Sequence, residues 1–374
     1  MVKTILPGQT IGIIGGGQLG RMMGLAAKEA GFKIAVLDPT MDSPCGQIAD
    51  IQIVAPYNDE AALEELGEVS DVITYEFENI DFEGLKRLSE IAHVPQGADL
   101  VRITQNRITE KAEIRQAGAP VAPYIAAQTF DELKDAIDTI GFPCIVKTAF
   151  GGYDGKGQLK LDSPKHLPEA ESLFAHSACI AEAFVPFIKE ISVIIQRNAA
   201  GESYCLPVAE NIHKHHILHE SIVPARVAAS VIQRAEEAAQ KIADHLQLVG
   251  TLAVEMFVLE NNEIIINELA PRPHNSGHYS IEACNVSQFH QHIRAVCGWP
   301  LRKPKLWASS IMVNVLGEHV APLIRVIKQH PDWSVHLYGK AEAKEKRKMG
   351  HITIMTDDVE NTLQEIVATG IWED

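Results

Sequence analysis

At 374 residues, 46% hydrophobic and 22% charged, the chain has the balance of a globular protein of two or three domains and excludes a disordered or fibrous one. Its net charge of −16 argues against nonspecific binding to nucleic acid or an anionic membrane, while leaving room for a local basic site for a small phosphate. Cys45, Cys144, Cys179, Cys205, Cys284 and Cys297 form no CxxC pair, which fits reduced thiols in a cytoplasmic protein. One early lysine followed by Pro7 and Gly8 reads as neither a signal peptide nor a membrane anchor.

Thr10 to Ile14 is an apolar run entering Gly15, Gly16, Gly17, Gln18, Leu19 and Gly20, after which a helical pattern runs to Ala30. A second strand, Phe32 to Leu37, ends at Asp38, so the opening matches the GxGxxG dinucleotide fingerprint with an acid 18 positions after its last glycine. Many doubly wound domains share such glycines, which bring backbone N–H groups at a helix N-terminus close to any phosphate. Further strands are expected at Ile51 to Val54, Val72 to Tyr75 and His93 to Pro95, with helices near Glu60 to Leu66 and Phe82 to Ile91, giving a parallel sheet of about five strands. Glu76 ends one strand, where open α/β sheets bind ligands, and is either a ribose ligand or a solvated loop acid.

Thr104 to Gln116 reads as one helix carrying Arg107 and Lys111, with a domain boundary near residue 105. Next come helix Phe130 to Ile140, strand Pro143 to Ala149, a loop from Phe150 to Gly157 rich in glycine, and strand Gln158 to Leu161. This loop is either a flap whose N–H groups cover phosphates, with Lys147 supplying charge, or a mobile hairpin end. It is not a Walker loop, because no GK followed by Ser or Thr opens a helix. Strands are expected at Cys179 to Phe184, Glu190 to Gln196 and Tyr204 to Asn211, and Val227 to Leu246 is a long helix. His213, His215, His216 and His219 lack the companions that would complete a tetrahedral metal set.

Two apolar strands flank Asn261 and Asn262, which tolerate the positive φ of a two-residue hairpin turn. That loop places Glu255 opposite Glu268. Opposed carboxylates are about 5 Å apart and need a compensating cation. Magnesium suits them, since one or two carboxylates plus substrate phosphate oxygens usually hold it. Directly after come Arg272, His274, Asn275, Ser276 and His278, with Pro271 and Pro273 denying Arg272 a helix or regular ladder. A planar guanidinium there suits a carboxylate-like or phosphate-like anion. A helix near Ser287 to Cys297, strands at Ile311 to Leu316, Ser334 to Tyr338 and His351 to Met355, and a helix Val359 to Thr369 complete the chain. In YGKAEAKEKRKMGH, Lys340, Arg347 and Lys348 either converge on a phosphate or form a solvated charge run.

Taken together, GGGQLGRM, YEFEN, GGYDGKGQ, NELAPRPHNSGH, and YGK followed by RKMGH resemble the ATP-grasp enzymes, and more narrowly the N5-carboxyaminoimidazole ribonucleotide synthetase family, from about residue 10 to residue 353. The resemblance implies an α/β ATP-grasp fold preceded by a Rossmann-like parallel-sheet domain and followed by a small C-terminal α+β subdomain. The corresponding divisions are residues 1–105, 106–298 (with a mobile lid about 120–185) and 299–374. It implies ATP-dependent carboxylation of 5-aminoimidazole ribonucleotide by bicarbonate through carboxyphosphate, in a cytoplasmic homodimer that engages neither nucleic acid nor membrane. It also implies residue roles. Arg107, Lys147, Gly152, Tyr153, Asp154, Gly155, Lys156, Gly157, Gln158, Glu182, Ala183, Phe184, Val185, Glu190, His213, Asn267 and Glu268 would hold ATP. Glu255 and Glu268 would hold Mg2+, and Arg272, His274 and Asn275 would orient bicarbonate and carboxyphosphate. Gln18, Leu19, Glu76, Tyr153, Asp154, Lys340, Arg347 and Lys348 would hold the ribonucleotide, with Asp154 near its attacking amine. One departure is His216, where a smaller residue, often Gly, is expected. A formate-dependent glycinamide ribonucleotide transformylase is the nearest alternative, but Glu is expected there in place of Gln18. An NAD-dependent dehydrogenase using Gly15 to Gly20 and Asp38 is an alternative from another class.

Overall fold

The computed structural model describes residues 3–151, 157–175 and 177–373, and places three sheets around one cleft. The parallel sheet runs Ile51–Ile53, Lys33–Leu37, Thr10–Ile14, Val72–Tyr75, so it has four strands rather than five. His93 contributes a single backbone carbonyl, accepting from Ile73 N at 2.8 Å, and Pro95 cannot donate to a continuing ladder. The helices Glu60–Val69 and Phe82–Ile91 begin where Asp59 and Asp81 accept from Ala62 N and Gly84 N, satisfying amides that have no partner inside the helix.

The helix expected over Thr104 to Gln116 is two helices, Asp99–Thr104 and Arg107–Gln116. Asn106 divides them: its side chain accepts from Ile108 N and Thr109 N and restarts the chain with Arg107 in the first turn. A four-stranded antiparallel sheet follows, in the order Tyr124–Ala127, Cys179–Ala183, Cys144–Thr148, Gln158–Leu161. Helix Phe130–Ile140 packs Leu133, Ala136 and Ile137 onto it.

The large antiparallel sheet has nine strands, from Ile264–Ala270 at one edge through Gly250–Val258 and Lys189–Arg197 to Trp333–Leu337 at the other. Helix Ala229–His245 lays a stripe of Val231, Ala235, Ala238, Ala239 and Ile242 against Val193, Ile195, Leu252 and Val254. Each wholly buried Val, Leu or Ile in that layer contributes about 1.5–3 kcal/mol of transfer free energy. Where one strand was expected over Tyr204 to Asn211 there are two, Ser203–Cys205 and Ala209–Lys214, because Pro207 lacks the N–H a ladder needs. The C-terminal strands Ser309–Leu316 and Lys348–Thr356 continue this sheet through pairing with Ile217–Val223, instead of building a sheet of their own.

The hairpin carrying the two glutamates reaches the expected pairing by a different route. Leu259 N donates to Glu263 O at 2.9 Å and Asn262 N to Leu259 O at 2.9 Å, with Asn262 at φ 62°, so the loop is Glu260 to Asn262 and Val258 pairs with Ile264. That register is offset by one from a two-residue loop. Asn267 then enters as an extra residue between Ile266, opposite Met256, and Glu268, opposite Glu255. The bulge restores the offset and turns both Asn267 and Glu268 toward the cleft, which is what bulges beside ligand sites do.

Candidate active site

A cleft of about 970 Å³ lies where the three sheets meet. Its floor is the Glu255/Glu268 pair. Each carboxylate has its own protein partner: His274 Nε2 stands 3.0 Å from Glu255 Oε1, and Arg107 Nη1 stands 3.2 Å from Glu268 Oε2. Burial alone would raise the Glu255 carboxyl, but the His274 hydrogen bond and the charges of His274, His213 and Arg272 lower it to about 2. The His274 ring is oriented by Ser276, whose N donates to Nδ1 at 3.4 Å, so that Nε2 faces Glu255. Part of the charge compensation expected from a metal is therefore built into the protein. What remains is a pair of oxygen donors facing across a ladder, the small set that magnesium completes with phosphate oxygens and water.

The bulged strand is the edge of its sheet, and its free side is tied down by residues that motif reading passed over. Ile266 N donates to Pro120 O at 2.8 Å, Leu269 N to Glu110 Oε1 at 2.7 Å, and Lys111 Nζ to Asn267 O at 2.9 Å. Lys111 also lies 3.5 Å from Glu182 Oε2, and Lys147 Nζ lies 3.2 Å from the same oxygen. Burial opposes ionisation of Glu182, yet Lys147 and Lys111 hold its carboxyl below the usual range. Among the described residues its Oε1 has no hydrogen-bond partner, and it is buried in the cleft wall, an acceptor ready for a polar ligand. Glu110 is different: burial, then the charge of Glu268, pushes it up to about 8. The i, i+4 spacing of Arg107 and Lys111 was the one sequence signal that both reach the same strand.

Beside Lys147, Glu182, Ala183, Phe184 and Val185 form an edge of the cleft, Gln158 pairs with Lys147 in the same sheet, and Glu190 and His213 also line the cleft. His213 Nδ1 is 3.3 Å from Glu190 Oε2. The hairpin beyond His213 turns through His215 at φ 49° and His216 at φ 64°, left-handed values that explain why Gly is expected at residue 216. Among the described residues, no group of three or more His, Cys, Asp or Glu side chains is arranged to hold a metal ion. Gly157 is described but is not part of the cleft wall, whereas Gly152, Tyr153, Asp154, Gly155 and Lys156 lie outside the described residues.

At the other end of the cleft, Arg272 makes a two-point ion pair with Glu78, Nε to Oε2 at 2.6 Å and Nη2 to Oε1 at 3.2 Å. Burial disfavours both charges, but each holds the other ionised, with the Glu78 carboxyl below and the Arg272 guanidinium above its ordinary value. The sequence points to Glu76, at the end of the strand, and carries no local mark of Glu78 two residues further on. Asn275 and His274 stand next to Arg272 in the wall, and Asn275 Nδ2 donates to Asn314 Oδ1 at 3.2 Å.

Gln18, Leu19 and Glu76 meet at the N-terminus of helix Gln18–Glu29. Here the glycine loop is internally satisfied. Glu76 accepts from Gly17 N at 2.5 Å and Gly20 N at 2.6 Å, while Asp38 accepts from Gly16 N at 2.7 Å and from the Tyr57 hydroxyl at 2.6 Å. A dinucleotide pyrophosphate would need these amides, and the acid that would take its ribose is already spent on one of them. The dehydrogenase alternative falls on that ground. Gly15 sits at φ +103°, and a Cβ there would come within 2.4 Å of Glu76 Cγ. Gly15→Ala is accordingly expected to cost at least about 2 kcal/mol, read as a lowered thermal midpoint.

Lys348 lines the cleft, but Lys340 and Arg347 stand behind it. Lys340 Nζ donates to Lys348 O at 2.7 Å and Arg347 Nη1 to Glu342 O at 3.2 Å. Burial, then the charge of Arg347, lowers Lys340 to about 8.

Comparison with known proteins covers the whole chain. Residues 8–105 match a ribonucleotide synthetase preATP-grasp domain, residues 112–289 an ATP-grasp domain, and residues 310–365 a phosphoribosylaminoimidazole carboxylase C-terminal domain. An N5-carboxyaminoimidazole ribonucleotide synthase from Bacillus subtilis (strain 168) is 51% identical over 374 residues, covering 99% of this chain and 97% of the relative. One solved structure, the ADP complex of an N5-carboxyaminoimidazole ribonucleotide synthetase, superposes with a TM-score of 0.97 at 55% identity, covering 100% of this chain and 99% of the other. The Aspergillus clavatus N5-carboxyaminoimidazole synthase, solved with ADP and 5-aminoimidazole ribonucleotide, superposes with a TM-score of 0.89 at 30% identity, covering 96% and 97%.

Proposed function

The chain belongs to the N5-carboxyaminoimidazole ribonucleotide synthase family of ATP-grasp ligases, and from that premise we propose how its cleft divides the work. The reaction is the ATP-dependent carboxylation of 5-aminoimidazole ribonucleotide by bicarbonate in purine biosynthesis. A bicarbonate oxygen attacks the γ-phosphorus and ADP leaves, giving carboxyphosphate. The exocyclic amine then attacks the carboxyl carbon, its C–N bond forms as phosphate departs, and the amine loses a proton.

ATP lies along Lys147 and the Glu182 to Val185 edge, with the Glu182 Oε1 acceptor and Glu190 meeting its base and ribose. Arg107, Gln158, His213 and Asn267 complete its surroundings. Glu255 and Glu268 would hold magnesium, which supplies charge neutralisation across the transferring phosphoryl oxygens when bound. Arg272 presents a guanidinium fixed in plane by Glu78, and His274 with Asn275 adds donors, so that bicarbonate is held in line with the γ-phosphoryl group. Gln18, Leu19, Glu76 and Lys348 take the ribonucleotide at the cleft wall, and Lys340 and Arg347, outside that wall, would reach its phosphate by leaving their backbone carbonyl partners. The stretch from Gly152 to Gly157, with Tyr153 and Asp154, is assigned by sequence resemblance to the phosphates and the ribonucleotide, and all of it but Gly157 lies outside the described residues. The observation that carries this reading is the opposed Glu255/Glu268 pair with Arg272 and His274 one loop away.

ADP release measured with and without 5-aminoimidazole ribonucleotide and bicarbonate is the test. Release that stays at background with both present, or that follows formate with glycinamide ribonucleotide instead, would overturn it. The Lys340 assignment carries a pH signature. With its ammonium lowered to about 8, charge is present below that pH and lost above it. Thus kcat/KM for the ribonucleotide should fall above pH 8 while that for ATP does not, and Lys340→Arg should move the fall upward. Lys340→Ala should raise KM for the ribonucleotide far more than for ATP; equal effects on both would remove Lys340 from that site.

We also read residues 1–105, 106–298 and 299–374 as the working divisions of a cytoplasmic homodimer, with a lid over about 120–185. Among the described residues no helix is long and apolar enough to cross a membrane. Light scattering on the purified protein tests the dimer, and a monomer at assay concentration would exclude it.

A further inference from the structure

The loop that carries Arg272, His274 and Asn275 is only partly held by its own turns, in which Arg272 N donates to Ala270 O at 2.9 Å and Gly277 N to His274 O at 3.0 Å. Pro271 and Pro273 have no N–H, so this stretch is barred from a regular ladder just where the sheet ends at Ala270. His274 is the first residue beyond the prolines with both a backbone donor and a backbone acceptor to satisfy. Both meet one side chain, with Gly277 N sharing the carbonyl. Gln288 Oε1 accepts from His274 N at 2.9 Å, and Gln288 Nε2 donates to His274 O at 2.7 Å. The side-chain amide stands in for a neighbouring strand, pairing with a single residue as a peptide group would.

Gln288 is itself fixed on every side. It is 0% exposed, and its Nε2 also lies 3.0 Å from His278 Nδ1. Its backbone N donates to Ser280 Oγ at 2.9 Å. Gly277 leaves the necessary room, since a Cβ there would come within 2.5 Å of Gln288 Oε1. From this clamp the imidazole of His274 extends to Glu255, 3.0 Å away.

We propose that Gln288 is a positioning residue for carboxyphosphate formation: by pairing with the His274 backbone it sets the imidazole on Glu255 and the adjoining Asn275 at the bicarbonate end of the cleft. The inference rests on the reading above that His274 and Asn275 serve that end. Gln288 is not part of the cleft wall and would act through the loop it holds. Its influence is confined to where the loop lies, and the nucleotide wall around Lys147 and Glu182 is built from other elements.

The test compares Gln288→Met, His274→Ala and the double variant. Gln288→Met keeps the length of the side chain and removes all its hydrogen bonds. A displacement of about 1 Å at a reacting group costs on the order of 10²-fold in rate. Gln288→Met should therefore lower bicarbonate-dependent ADP release about 10²-fold while leaving the dissociation constant for ADP within about twofold. In the His274→Ala background it should lower activity little further, because the two changes break one arrangement. Wild-type turnover in Gln288→Met, a parallel loss of ADP affinity, or full additivity with His274→Ala would overturn the positioning role. Wild-type turnover in His274→Ala would instead sink the site reading on which it rests. Should Gln288→Met fail to fold, Gln288→Glu fills the same volume and retains the acceptor for His274 N while turning the donor into an acceptor facing His274 O. The same loss of turnover with ADP affinity kept is expected of it, and wild-type turnover overturns the proposal.

Discussion

Glu268→Gln should reduce magnesium-dependent turnover about 10³-fold, equivalent to about 4 kcal/mol of transition-state stabilisation, while leaving the fold intact. The substitution keeps the shape and the bulge but removes one of the two charged oxygens facing across the ladder. It also leaves Arg107 without its 3.2 Å ion partner. Because the Glu268 side chain is 43% exposed, that lost pair contributes little to stability, and the thermal midpoint should stay close to wild type. Steady-state ADP release across a magnesium titration is the measurement. Near wild-type activity in the variant would end the metal assignment, whereas unchanged activity in Glu255→Gln alone would narrow it to Glu268.

Arg272→Ala should be the most damaging change at the bicarbonate end, lowering kcat at least about 10²-fold and also destabilising the protein. It removes the planar group and leaves Glu78 buried without its two-point partner. Breaking a buried pair costs about 3–5 kcal/mol, and the lower figure applies here because the two side chains keep 19% and 25% of their exposure. The pH dependence separates the two effects. In the wild-type protein Arg272 holds the Glu78 carboxyl low, so the pair stabilises the fold above the ordinary carboxylate range and weakens as pH falls. In Arg272→Ala burial is opposed only by the Glu78 backbone hydrogen bond and His274, so Glu78 takes up a proton more readily, and the thermal midpoint should rise as pH drops from 7 to 5. Adding Glu78→Gln should restore stability without restoring turnover. A midpoint for Arg272→Ala that is flat over this range would contradict the pair's role. Arg272→Lys keeps charge but not the fork, so it should be nearly as inactive as Arg272→Ala.

Much of the chemistry was written in local patterns. The Gly15 to Gly20 turn, the glycine loop after Lys147 and the polar run after Glu268 announced themselves through residue types that only special backbone geometries or ligands require. The pairing of Glu255 with Glu268 was also legible, although through two offsets that cancel: a loop one residue longer than two, and a bulge at Asn267. Local propensity favoured the Asn pair as the turn. Only the burial of Met256 opposite Ile266 and the cover on the outer edge of the strand show why an extra residue is accommodated there.

Other parts had no local signature. Glu110 and Glu78 are charged residues in ordinary helix and loop positions, and their burial follows from packing against segments more than 150 residues away in sequence. Gln288 looked like the first turn of an amphipathic helix, and nothing nearby in sequence marks it as the partner of His274. The glycine fingerprint was the most misleading local pattern. Its spacing is that of a dinucleotide site, but Glu76 and Asp38 occupy the amides that such a ligand would use.

The sequence by itself determined the alternation of strands and helices, the family, and which short stretches carry chemistry, because hydrophobic periodicity, turn residues and motif spacing are all properties of neighbours along the chain. The tertiary structure alone decided which charges are compensated by protein, which amides remain available to a ligand, and what holds the catalytic loop. Those depend on desolvation and on hydrogen-bond partners brought together from distant segments, and neither burial nor partnership exists until the sheets have closed around the cleft.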